Sequence, residues 1–399
     1  MISFVHCGDI HLGIMPEKNA VRFNDFFVAF SNCIDYAINK KVNFIIVAGD
    51  MFHQKIINSK TLSMTCEILK KAKDENIPVF VIEGNHDRAF YIDEESWLAY
   101  LHKENLIDLL CVNNNGGKLS IANSYECDNY RVVGVGYLGG ATEKYIPEIS
   151  NLLPSDNKIN ILIMHTAIDR MKSQNMGDIS GEEILKLKDK CDYLALGHVH
   201  YRYEFEDFAF NPGSLENLRT RDDLSGEKGF YYVNIDEETK EKHIEYVASK
   251  KRKIIYKKLD CTSIDTPDGV IDKIKLDMDS WDNISNGCII YFSLCGSTAF
   301  NPLLIDLREI KELTNNRFDI LYSEVINNIN DIDIDESNND GINIDAIIES
   351  EIENELKKNH ADLKEPDKKA KIMLELANSI NSNMLEKDIF DLLSRKEDL

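Results

Sequence analysis

Short apolar runs that alternate with helically spaced segments constrain this chain more than any other feature. Residues 2–7, 44–48, 79–83, 131–135, 159–164 and 193–196 are runs of four to six mostly apolar residues. This length and composition suit strands buried on both faces. Between them, residues 23–41, 60–76 and 96–110 carry apolar residues at helical intervals. Strand runs interleaved with amphipathic helices imply a layered α/β fold with helices covering the sheet on both sides. Loops that carry chemistry in such folds lie at the carboxyl ends of the strands.

Those ends hold an unusual set of residues. The first run leads into Gly8-Asp9-Ile10-His11, the second into Gly49-Asp50-Met51-Phe52-His53 and the third into Gly84-Asn85-His86-Asp87. The later runs lead into Met164-His165-Thr166 and Gly197-His198-Val199-His200. Six of the ten histidines (11, 53, 86, 165, 198 and 200) fall in these five motifs, and the other four (6, 102, 243 and 360) do not and receive no role. A lone Gly-Asp or His is most often structural. The ordered series, each member closing a strand, points to a centre built for two divalent cations. Two such ions about 3.5–4 Å apart can neutralise a phosphate and supply hydroxide at neutral pH. Aspartate, asparagine carbonyl and neutral imidazole suit Mn²⁺, Fe²⁺ or Zn²⁺. The glycines before Asp9, Asp50, Asn85 and His198 are expected to permit sharp turns that aim the ligands inward.

The 399 residues suit two or three domains, and 43% apolar content supplies a core for at least one large one. No apolar run approaches the roughly 20 residues of a membrane span. The start, MISFVHCGDIHLG, lacks the basic and cleavage-site features of a signal peptide. The nine cysteines form no C-x-x-C pair, which favours reduced thiols in a cytoplasmic, nucleoid-associated protein over a zinc knuckle or disulfide framework. Net charge is -23, an adverse sign for a nucleic-acid binder. Residues 324–399 contribute 20 acids against 9 bases, and bound cations would invert the local charge of the centre. The most basic stretch, Lys250-Lys251-Arg252-Lys253 with Lys257 and Lys258, reads either as a solvated linker or as a contact to a phosphate backbone.

The motifs resemble those of the calcineurin-like metallophosphoesterases, and within them the SbcD and meiotic-recombination-eleven nucleases of double-strand-break repair. The opening Asp9-Ile10-His11-Leu12-Gly13, the helix sequence FNDFFVAF at 23–30, the histidine three residues after Asp50, Asn211-Pro212-Gly213-Ser214-Leu215-Glu216 and Lys228-Gly229-Phe230 carry the resemblance to that branch. It covers residues 1–247. It implies a sandwich of two mixed sheets flanked by helices, a small α+β capping domain over 252–326, an acidic linker over 327–343 and a helical ATPase-binding segment over 344–399. It also implies that Asp9, His11 and His200 hold one ion, that Asn85, His165 and His198 hold the other, and that Asp50 bridges them. The ions would be Mn²⁺, with Fe²⁺ or Zn²⁺ as alternatives. His86 would assist the leaving oxygen, oriented by an ion pair with Asp87, and His53 would meet the DNA.

The implied activity is Mn²⁺-dependent 3′-to-5′ exonuclease on duplex DNA with endonuclease on single strands, alongside an SMC-like ABC ATPase of the SbcC kind. Homodimer contacts would fall on the helices around Leu62, Ile68, Leu69, Trp97, Leu98, Leu101, Leu106, Leu109 and Leu110. Two other readings compete: a phosphatase or nucleotidase of the same superfamily, and a scaffold without activity. Gly84-Asn85-His86-Asp87, where phosphatases of this fold usually carry G-N-H-E, argues against the first, and the intact ligand set argues against the second.

Overall fold

A computed structural model describes residues 1–89, 95–168, 178–220, 226–282 and 284–331, together with residue 369. The expected linker over 327–343 and helical segment over 344–399 therefore lie almost wholly outside the described residues. Two mixed sheets form the centre of the rest. The first contains β1 (Ile2–Cys7), β2 (Phe44–Val47), β3 (Val79–Val81) and β4 (Asp108–Leu109) in parallel, extended by the antiparallel β14 (Gly229–Ile235) and β15 (Lys242–Ala248) on the β1 side. The second runs in the order β12-β13-β11-β8-β7-β6-β5. Its parallel centre is β7 (Tyr130–Val135), β8 (Ile159–His165), β11 (Tyr193–Gly197) and β13 (Ala209–Asn211). Antiparallel strands β5 (Cys111–Asn115), β6 (Lys118–Glu126) and β12 (Tyr203–Phe205) finish its edges.

Side-chain alternation along the strands builds the layers. On β1, Ile2 and Phe4 face the second sheet, where Phe44, Phe80, Tyr193, Phe210 and Tyr231 fill the space between sheets. Val5 and Cys7 point the other way, against α1 (Ala20–Lys40), α2 (Ser59–Asp74) and α3 (Trp97–Lys103). The outer face of the second sheet packs on α4 (Ile146–Asn151), α5 (Gly181–Leu185) and the short β9 (Ala167–Ile168) and β10 (Asp178–Ile179). Helix starts follow their caps: the side chains of Asn19, Asn58 and Ser96 each accept first-turn N–H groups of α1, α2 and α3. Helix α3 is shorter than the apolar spacing over 96–110 predicts. Asn105 takes a positive φ of 55°, the chain turns, and Leu109 enters β4 instead.

Beyond β15, three parallel strands, β16 (Ile254–Asp260), β17 (Ile289–Cys295) and β19 (Tyr322–Asn327), alternate with α6 (Pro267–Met278) and α7 (Leu307–Arg317); the short β18 (Ser297–Thr298) follows β17. They enclose their own apolar cluster, including Leu259, Ile274, Phe292 and Ile310. Arg252 ties this small element to the larger one. Its guanidinium donates to both Asp25 carboxylate oxygens at 2.6 and 2.7 Å and to the Gly287 carbonyl at 2.6 Å, while its backbone N–H donates to Glu216 at 3.1 Å. The most basic residue cluster of the sequence is thus partly consumed by an internal ion pair. Of the nine apolar residues expected at a dimer contact, Ile68, Leu69, Leu98, Leu101, Leu106 and Leu110 are buried within this chain.

Candidate metal centre

The parallel strands of both sheets bring their carboxyl ends to one place. The loops after β1 and β2 are laced together: Asp9 N–H donates to the Gly49 carbonyl (3.1 Å), and Ile10 and His11 N–H both donate to the Asp50 carbonyl (2.9 and 3.0 Å). From the second sheet, His165 Nδ1 donates to the Ala48 carbonyl at 2.7 Å. A carbonyl only accepts, so this bond places the proton on Nδ1 and turns Nε2 toward the centre.

All seven expected ligands converge. The Nε2 atoms of His11 and His200 lie 3.1 Å apart, and His165 Nε2 lies 3.3 Å from His198 Nδ1. Asn85 Oδ1 is 3.2 Å from His165 Nε2 and 3.1 Å from His198 Nδ1. Asp50 Oδ2 lies between the two groups, 3.7 Å from His11 Nε2 and 3.4 Å from His165 Nε2. Asp9 Oδ1 is 4.0 Å from His200 Nε2, and its carboxylate accepts the His198 N–H at 2.9 Å. Metal–nitrogen bonds of about 2.0–2.1 Å make the edge of a tetrahedral site about 3.3 Å. The two imidazole pairs sit at that spacing, so the donor set fits two divalent ions.

Electrostatics agree with a centre that attracts cations. Burial alone would raise Asp50, but the charge and hydrogen bond of His165, with His11 and His86, outweigh it and hold the carboxylate well below the usual range. Burial lowers His165, yet Asp50 and then Asp9 overcome this and raise it to about 9. Burial, reinforced by Asp50, pushes Asp9 up to about 7. Burial drives His11 well below its ordinary value and, helped by Lys228, takes His200 down to about 3. Burial therefore favours neutral rings at His11 and His200, with nitrogens able to act as ligands, while the two carboxylates favour a proton on His165.

The structure corrects two sequence expectations. Asp87 does not pair with His86. Its carboxylate accepts backbone N–H groups of Met51 (3.2 Å), Phe52 (2.9 Å) and Gly84 (3.0 Å), clasping two loops of the centre. His86 Nδ1 instead donates to the His53 carbonyl at 2.7 Å, leaving Nε2 4.0 Å from Asp50 Oδ2 on a ring 37% exposed. Neighbours in sequence at a turn point apart, and here a carboxylate meets three backbone donors more easily than one imidazole. The glycines also act differently. Asp9, Asp50 and His198 themselves adopt positive φ (49°, 50° and 94°). A Cβ on Gly197 would stand 2.0 Å from the Ala48 oxygen, and one on Gly84 would stand 2.0 Å from Asp50 Oδ1. Gly84 and Gly197 thus provide room for close approach rather than the turn, whereas Gly49, at φ +87°, makes the sharp turn expected of it.

His53 lies beside the centre, its Nδ1 3.4 Å from His11 Nδ1 and its ring 5.5 Å from that of His86. Sequence reasoning missed Tyr137, whose ring lies 5.4 Å from His198 and 6.1 Å from His165, forming an aromatic wall. Its only signal is the Gly136-Tyr137 pair that closes β7, which carries no ligand. His6 has no part in the centre. It is buried, donates from Nε2 to the Leu196 carbonyl and accepts the Tyr193 hydroxyl at Nδ1.

Comparison with known proteins now decides the family. Residues 2–202 match the sequence pattern of the calcineurin-like phosphoesterases. The chain belongs to that family. Membership in the calcineurin-like phosphoesterases implies a divalent metal, in accord with the carboxylate–imidazole groups Asp9/His11/His200 and Asp9/Asp50/His165. Within curated proteins the chain is similar to the DNA double-strand break repair protein Mre11 of Archaeoglobus fulgidus, 29% identical over 231 residues, covering 55% of this chain and 52% of that one. It is also similar to the Mre11 of Saccharolobus solfataricus, 28% identical over 207 residues, covering 51% of this chain and 50% of that one. The chain thus spans about half the length of the curated relatives it matches. Among solved structures it aligns with a dimetal phosphatase from Danio rerio at 10% identity and a TM-score of 0.41, covering 62% of this chain and 97% of that one.

No described helix is long and apolar enough to cross a membrane.

Proposed function

We propose that this calcineurin-like phosphoesterase is a two-metal DNA nuclease of double-strand-break repair. The observation that carries the reading is the pair of imidazole clusters joined by Asp50, in a chain whose relatives are Mre11 proteins. Asp9, His11 and His200 would hold one ion and Asn85, His165 and His198 the other, with Asp50 shared. Two bound divalent ions, Mn²⁺ by preference and Fe²⁺ or Zn²⁺ as alternatives, would neutralise the phosphodiester and supply hydroxide at neutral pH.

The chain's own groups do the rest. Nδ1 of His86 is committed to the His53 carbonyl, so the doubly protonated ring would give its second proton, from Nε2, to the leaving oxygen and keep the one on Nδ1. Asp87 keeps the loops of Asp50 and Asn85 together through backbone N–H groups. His53 sits on the same face and would contact the DNA backbone. Duplex exonuclease activity of 3′-to-5′ polarity, single-strand endonuclease activity, homodimerisation, a capping role for 252–326 and docking of residues 344–399 on an SMC-like ABC ATPase complete the proposal. With net charge -23, the isolated chain would hold DNA weakly and with steep salt dependence, and the ATPase would supply grip.

The test is cleavage of end-labelled duplex and circular single-stranded DNA with Mn²⁺, comparing wild type with His86→Ser. Loss of cleavage in the variant is expected. Inert wild type, or a fully active variant, would refute the nuclease.

A further inference from the structure

Two sequence motifs remain without a task in this reading: Asn211-Pro212-Gly213-Ser214-Leu215-Glu216 and Lys228-Gly229-Phe230. Both lie after the last ligand and contribute none. The structure shows them converging on the backbone of that ligand. The Asn211 side-chain amide donates to the Val199 carbonyl at 2.7 Å and the Tyr201 carbonyl at 2.8 Å. Two carbonyls can only accept, so the NH₂ end of Asn211 must face them. Its Oδ1 is left buried with no hydrogen-bond partner among the described residues, so the side chain is held in place for its donors. The carbonyl between those two, that of His200, accepts two donors, Lys228 Nζ at 2.6 Å and the Ser214 N–H at 3.3 Å, while the single hydroxyl proton of Ser214 goes to the Glu216 carbonyl at 2.9 Å and steadies the turn. Gly213, at φ +77°, lets the turn come this close, since a Cβ there would stand 2.9 Å from the His200 oxygen. Asn211, Ser214 and Lys228 are all buried, Lys228 to 1% exposure.

Four hydrogen bonds thus hold three successive carbonyls. The loop needs them, because His198 takes a positive φ of 94° and the His200 side chain is 35% exposed. Among the described residues, the ring of His200 is held only by other members of the centre. We propose that Asn211, Ser214 and Lys228 are positioning residues of the metal centre, a clamp on the Val199–Tyr201 backbone that sets the His200 imidazole against His11 and Asp9. The inference rests on the assignment of His200 as a ligand. It predicts an asymmetry: the ion held by Asp9, His11 and His200 should depend on the clamp, and the ion held by Asn85, His165 and His198 should not.

Calorimetric titration of the full chain with Mn²⁺ tests this without any activity measurement. His200→Ala and His165→Ala first assign the two binding steps to the two sites. Lys228→Met and Asn211→Ala then weaken the His200 step by about 10–100-fold, as loss of groups that orient a ligand commonly does, and leave the His165 step within about twofold. Urea unfolding in EDTA accompanies each titration. If Lys228→Met does not fold, Asn211→Ala, which removes an uncharged side chain and its two donations to the clamped backbone, decides. Equal weakening of both steps, or no change in either, overturns the clamp while the two-metal reading stands. A wild-type chain that binds no Mn²⁺ overturns both.

Discussion

Adding one methyl group at Gly197 should damage the centre from behind. The Cβ of Gly197→Ala would lie 2.0 Å from the Ala48 oxygen and 3.0 Å from His165 Nδ1, two atoms already joined by a 2.7 Å hydrogen bond. Ordinary contact begins near 3.4 Å, so the strand ends must separate by more than an ångström. Over-filling a packed region costs about 1–3 kcal/mol, and losing the His165–Ala48 bond adds about 1 kcal/mol. A fall of about 2–4 kcal/mol is therefore expected, a large share of the roughly 5–15 kcal/mol that holds a domain folded. Urea unfolding in EDTA measures it. The same displacement tilts His165, so Mn²⁺ binding at its step should weaken by about 10–100-fold. Gly140→Ala is the control, because no atom lies within 4 Å of its added Cβ, and its stability should stay within about 0.5 kcal/mol of wild type. Wild-type unfolding and Mn²⁺ titration curves for Gly197→Ala would show that close approach of the two sheets is not what the glycine provides.

Asp87→Asn should destabilise the chain by about 1–3 kcal/mol in urea unfolding at pH 8, because an NH₂ group would face at least one of the backbone N–H groups of Met51, Phe52 and Gly84 and leave it unsatisfied. If Asp87 instead served His86, the variant would shift the His86 titration in NMR spectra and leave stability near wild type. Metal affinity should rise with pH. His165 is raised to about 9 and Asp9 to about 7, so below those values protons occupy atoms the metal needs. Apparent Mn²⁺ affinity should climb about tenfold per pH unit between 7 and 9, more steeply below 7, and level off above 9. Calorimetry in buffers of different ionisation enthalpy should find about one proton released at pH 8, and pH-independent affinity would contradict the charge pattern described above.

Much of the sheet architecture is legible in the sequence because the parallel strands are buried on both faces and read as unbroken apolar runs. The edge hairpin of β5 and β6 is not. Cys111–Asn115 and Lys118–Glu126 are largely polar and exposed, and only the Gly116-Gly117 turn signals them. The ligand positions stand out because each closes a strand, and parallel strands of one sheet must end on the same side. Directions of side chains are a different matter. Adjacency suggests that Asp87 serves His86, yet the loop geometry sends the carboxylate to three backbone donors. The clamp on His200 is quoted in full by the sequence, but its role depends on β13 and β14 flanking the centre, and this spatial relation has no local signature.

Arg252 joins three places spread over more than two hundred residues of sequence: Asp25 on α1, Glu216 in the turn after β13 and Gly287 in the small three-stranded element. Melting that element by itself would leave Asp25 and the buried Glu216 with Arg22 as their remaining guanidinium partner and would cost them the three donors of Arg252. The small element and the sheets beside it should consequently lose structure in a single cooperative step. Heat or denaturant would then report on the small element and the metal centre together, and a fluorescence signal from Trp281 in the former would serve as a gauge of the latter.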